Sequence, residues 1–103
     1  MGQAQLGGYF AVMRESGEAW DDSRELTEQE RWDEHAAFMN SLVDEGFVLL
    51  GGPVGGGPRT LLIVRADSEQ AIHDRLDADP WTPMRMLRIA SIEPWNILLG
   101  EVG

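Results

Sequence analysis

Residues 27–46 read TEQERWDEHAAFMNSLVDEG, the longest amphipathic run in the chain. Thr27 followed three residues later by Glu30 has the spacing of a capping box, and Gly46 suits a helix C-terminus. Between them Trp32, Ala36, Met39, Leu42 and Val43 recur at the spacing that gathers on one face of a helix. The pattern predicts a helix over 27–46. His35 falls on the same face, while Asp33, Glu34 and Asp44 are left to water. An imidazole turned toward a core needs a hydrogen-bond partner or a cavity, and the identity of that partner bears on every other part of the chain.

Outward from this helix, Tyr9–Arg14 (YFAVMR) reads as a strand with Tyr9, Ala11 and Met13 on one side and Phe10 and Val12 on the other. The acidic stretch 15–26 reads as a surface loop whose Trp20 clamps onto the domain. After the helix, Phe47–Gly52 and Thr60–Ala66 are two further strands, and Gly55, Gly56 and Gly57 supply the positive φ that a hairpin between them needs. Asp67 and Ser68 offer N-caps for a second helix through Ala78, with Ile72 and Leu76 on its inner side. Asp79-Pro80 ends that helix, since the residue before proline is driven out of the helical region. Met86–Ile92 is a fourth strand, and Pro94 confines the chain beyond it to an edge or an extended tail.

The order strand, helix, strand, strand, helix, strand predicts an α+β, ferredoxin-like βαββαβ domain with a four-stranded antiparallel sheet, spanning 1–103 as one unit. Two helices cover one face of such a sheet. Leu61 and Ile63 oppose Leu62 and Val64, and Phe47 and Leu49 oppose Val48 and Leu50, so both faces are apolar. The uncovered face calls for a second subunit, and a homodimer is expected.

Composition narrows the chemistry. The 103 residues contain no cysteine and no lysine, so all eight cations are arginine. That excludes thiolate nucleophiles, cysteine-held metals, Schiff bases and a lysine-bearing phosphate loop. A net charge of −10 argues against nucleic acid and anionic membrane. No run approaches the roughly 18 apolar residues of a membrane span, and a cytoplasmic protein is expected.

There are two histidines. His73 sits beside Asp74 and Asp77 with the look of a solvated helical face. His73 and Asp77 have i, i+4 spacing but lack further ligands, so no metal and no cofactor is assigned. His35 is the better candidate, because Asp79 opens a turn from which a short carboxylate reaches the neighbouring helix. A carboxylate on one ring nitrogen would fix the tautomer and leave the other nitrogen to exchange a proton. The residues alone favour the plainer reading, a satisfied core histidine with Asp79 capping nearby amides.

The segments DEHAAFMNSLVDEGFVLLGGPV (33–54) and ADSEQAIHDRLDADPW (66–81), with a last strand ending in EPW (93–95), resemble the YCII-related family of dimeric α+β barrel proteins over about residues 9–95. The resemblance implies a ferredoxin-like protomer paired sheet to sheet around a pocket between helices and sheet. It implies a His/Asp pair at His35 and Asp79 and a strand-end Gly-Pro at Gly52 and Pro53. Trp81 stands where the family commonly has phenylalanine and is assigned with them to the substrate-facing wall. Some members look like lyases or dehalogenases of aromatic compounds. The expectation is a small-molecule enzyme with a His35/Asp79 acid/base pair, of lyase or dehalogenase type; the alternative is a non-catalytic small-molecule or partner-binding module on the same fold.

Overall fold

A computed structural model describes residues 8–56 and 58–101. The elements are β1 (Gly8–Ser16), a 3₁₀ turn (Leu26–Glu28), α1 (Trp32–Asp44), β2 (Val48–Pro53), β3 (Thr60–Ala66), α2 (Glu69–Leu76) and β4 (Leu87–Pro94). The strands form one antiparallel sheet in the order β2-β3-β1-β4, so the fold is α+β and ferredoxin-like.

One face of the sheet carries Val12, Leu62 and Val64, packed with Leu42 of α1 and Ile72 and Leu76 of α2. A smaller cluster of Trp81, Met86 and Leu87 is flanked by Trp20, Trp32 and Met84. On the opposite face, strand alternation gathers Ala11, Met13, Leu61 and Ile63, none of which belongs to either cluster. Leu50 pairs with Ile63 there and is 58% exposed.

Two irregularities shape the sheet. The pairing of β1 with β4 steps from Met13↔Ser91 to Arg14↔Ile89, which leaves Ala90 without an opposite number. The pairing of β2 with β3 shifts between Val48 and Leu50. This second bulge breaks the strict alternation expected of 47–50, and Phe47 and Val48 both join the main core. Pro94 does lie on an edge strand, as expected.

The long helix differs from its expected form. Thr27 lies inside the 3₁₀ turn, where the Glu28 carboxylate accepts from the Glu25 amide at 3.1 Å. The expected Thr27/Glu30 capping box does not start a helix; α1 begins at Trp32, after Arg31 at φ 60°. A distant contact explains the break: the Trp81 indole donates to the Glu30 carbonyl at 2.7 Å, taking an acceptor that a continuous helix would have used. The inward row of α1 is His35, Phe38, Met39 and Leu42, at i, i+3, i+4, i+7, with His35 and Leu42 buried and Phe38 and Met39 half-buried. Val43, expected inside, is 49% exposed.

The start of α2 follows the expected chemistry, while its end comes early, at Leu76 and not at the expected Ala78, so the helix is already over before Asp79-Pro80. The Ser68 hydroxyl accepts from the Ala71 amide and caps α2. Gly55 and Gly56 adopt φ 70° and 71° in the hairpin after β2, closed by Val54 donating to the Arg59 carbonyl. Gly57, counted with them, lies outside the described residues.

Candidate functional site

The two bulges flank a cavity of about 530 Å³ between α1, the sheet and the loop that precedes the 3₁₀ turn. Its walls include His35, Trp20, Trp32, Trp81, Gly52 and Pro53. Among the residues assigned from the sequence, Asp79 alone stands behind the wall, with no exposed surface at all.

Asp79 is the hub of the arrangement. It follows α2, in a turn where Thr82 donates its hydroxyl to the Leu76 carbonyl at 2.8 Å. One carboxylate oxygen of Asp79 accepts from the Trp81 amide at 2.9 Å, and the other accepts from the Arg14 guanidinium at 2.7 Å. His35 Nδ1 lies 2.8 and 3.0 Å from the two oxygens. Burial is the strongest single influence on this acid and favours its neutral form. Hydrogen bonds from His35, Arg14 and the Trp81 amide, with the charge attraction of His35, together outweigh it and hold Asp79 below its ordinary pKa.

An ionised carboxylate can only accept, so Nδ1 of His35 is the donor, and in the neutral form of the ring Nε2 is the atom that carries the lone pair. Among the described residues Nε2 has no hydrogen-bond partner. The ring is held by more than Asp79. It stacks on Trp81 with centroids 3.9 Å apart and planes 7° from parallel, while Trp32 lies tilted at 5.7 Å. Trp81 is itself fixed at two points, through its amide to Asp79 and its indole to Glu30. An imidazole so oriented can take a proton from a group in the cavity and return it to another.

Trp20 packs edge-on against Trp81 at 5.9 Å, so the clamp expected of it exists and also forms cavity wall. Its loop is anchored by buried Gln29, whose carboxamide donates to the Asp21 and Arg24 carbonyls and accepts from the Asp21 amide. Gly56 and Pro58 also border the cavity, so the glycine-rich hairpin does more than reverse the chain. His73 is exposed on α2, by a second cavity of about 410 Å³ on the far side of Arg14.

Arg14 is the member of the site that the sequence pattern did not single out. A signal existed: Arg14 shares strand parity with Phe10 and Val12, so a cation falls on the helix-covered face of β1.

No protein-family model matches the chain, and no curated protein matches it. The solved structures that resemble the chain include a dehydrochlorinase. That protein is 5-chloro-2-hydroxyhydroquinone dehydrochlorinase (TftG) from Burkholderia phenoliruptrix AC1100, in complex with 2,5-dihydroxybenzoquinone. The match has a TM-score of 0.56 at 25% identity and covers 85% of this chain and 93% of that one. It supports the ferredoxin-like fold independently of the strand order.

Proposed function

We propose that this chain is an enzyme of the YCII-related type, working as a homodimer, that uses His35 and Asp79 to eliminate a leaving group from a small aromatic molecule. The observation that carries the reading is the His35 ring itself. It is stacked on Trp81, bonded through Nδ1 to an ionised carboxylate, and turned into a cavity with Nε2 unengaged among the described residues. The likeness to a dehydrochlorinase points to the same chemistry.

For a chlorinated hydroxyhydroquinone the step balances without an outside oxidant. His35 Nε2 takes a ring hydroxyl proton and returns it to the chlorine-bearing carbon, giving the keto tautomer. Loss of a second hydroxyl proton to Nε2 then expels chloride with the electron pair of the C–Cl bond. The products are a hydroxyquinone and HCl. Asp79 keeps the Nδ1–H tautomer throughout and stabilises the imidazolium formed at each transfer. Three tryptophan side chains in the wall suit a planar ring.

The test is chloride release and quinone absorbance with 5-chloro-2-hydroxyhydroquinone as substrate. His35→Gln is expected to abolish both while the chain stays folded. Asp79→Asn is expected to lower the rate and to redistribute the ring tautomer, read from the ¹⁵N shifts of His35. Tight binding of the compound with no chloride released would favour the non-catalytic module instead.

A further inference from the structure

We infer that Arg14 is a specificity-determining residue, which selects aromatic ligands bearing an anionic oxygen, a phenolate or an enolate, over their neutral ethers. The inference rests on the proposed use of the cavity as a ligand site and adds to it the charge of the ligand.

Arg14 is 2% exposed, in the interior of β1. A buried guanidinium is costly unless its five N–H donors are occupied. Asp79 takes one at 2.7 Å, and the Met39 thioether, a weak acceptor, takes another at 3.5 Å. No other acceptor bonds to it among the described residues, and Arg14 borders the cavity beside His35 as well as the second cavity. The desolvated fork therefore has donors left over where a ligand would sit. An anionic oxygen is the acceptor that gains most from them, because charge-assisted hydrogen bonds are the strong ones.

Geometry ties this to the proton-transfer group. Arg14 and His35 both bond the same oxygen of Asp79, at 2.7 and 2.8 Å. Two groups on one oxygen are close enough for a single benzene ring to reach both, one substituent on the guanidinium and another on Nε2. The charge of Asp79 cancels that of Arg14, so recognition works through directed N–H donors and not through a positive field. It can therefore operate in a chain of net charge −10 and should respond weakly to salt.

The probes are 4-nitrophenolate, at a pH where the phenol is ionised, and 4-nitroanisole, its methyl ether. Quenching of the tryptophan fluorescence reports binding, since three of the four tryptophans border the cavity. The wild-type chain should bind the phenolate about tenfold or more tighter, the scale of one charge-assisted bond. Removing Arg14 alone orphans a buried carboxylate, so the decisive variant is Arg14→Met with Asp79→Asn, which leaves no lone charge. It should bind the two probes alike, and Arg14→Lys should keep a reduced preference. Arg88→Gln, in the wall of the second cavity, should change nothing, which locates the binding. Equal binding of both probes by the wild-type chain, binding of neither, a preference that survives the double change, or one lost with Arg88→Gln would overturn the assignment. His35→Gln separates the two ideas: loss of chloride release with the phenolate preference intact is expected. A wild-type chain that shows the preference but releases no chloride sinks the elimination and leaves Arg14 its role.

Discussion

Asp79 serves three donors at once, and this sets the cost of changing it. Arg14, His35 and the Trp81 amide all depend on one carboxylate without exposed surface. Asp79→Asn preserves shape but leaves the Arg14 charge uncompensated, so it should cost about 3–5 kcal/mol, the usual penalty for breaking a buried pair. Urea unfolding measures it. The same carboxylate makes stability depend on acid. Its pKa is lower in the folded chain, so its contribution is complete above the unfolded value of about 3.9 and disappears as pH falls through the folded one. The exposed carboxylates Asp21 and Glu34 are also lowered and form a background common to both chains. Wild type minus Asp79→Asn is therefore expected to show a stability difference that shrinks on acidification below that range. A constant difference would mean that folding leaves the pKa of Asp79 unchanged, and a difference that grew on acidification would mean that Asp79 is neutral when folded.

At the scale of elements, the site depends on how the turn after α2 is fastened to the end of β1. Gly17 donates to the Met86 carbonyl at 2.8 Å and Ala19 to the Arg85 carbonyl at 3.0 Å, with Arg85 in the left-handed region at φ 62°. A Cβ on Gly17 would collide with the Arg85 carbonyl, which is backbone and cannot swing aside. Gly17→Ala should therefore cost about 1–3 kcal/mol, the range for overpacking. It should also loosen the Trp81 stack, visible as altered near-UV circular dichroism. Local chemistry explains which parts of this were legible from sequence. The strand Thr60–Ala66 is bounded as expected, because an apolar run between a glycine-rich turn and a helix cap leaves little choice. Ser68 signals its helix by its own hydroxyl. The start of α1 was not legible, since Thr27 and Glu30 satisfy the spacing of a cap while the deciding contact comes from Trp81, 51 residues away in sequence. His35 announced itself by sitting in an apolar row, whereas Arg14 needed both its parity and a partner 65 residues away.

For the molecule as a whole, the uncovered sheet face carries the prediction of assembly. Ala11, Met13, Leu61 and Ile63 line it, and Leu50 stands exposed at its margin. A dimer paired through this face is expected by light scattering at micromolar concentration. Leu50→Glu should weaken it without unfolding the protomer, because that side chain is already largely in water. An unchanged dimer in the variant would put the contact elsewhere. The other face is divided between two core clusters, and β4 is the strand that joins them: Ile89 and Ile92 pack on one, Leu87 belongs to the second. Ala90 lies between Ile89 and Ile92, just past the step from one cluster to the other, and is spare to the ladder. Deleting Ala90 leaves the β1 and β4 partners on either side able to keep their match, yet it removes the extra twist that a bulge imparts. Ala90 thus works as a set-screw, dispensable for holding the sheet and needed for aiming it. A chain shortened there should fold with its sheet complete while the Trp81 platform swings out of alignment with His35.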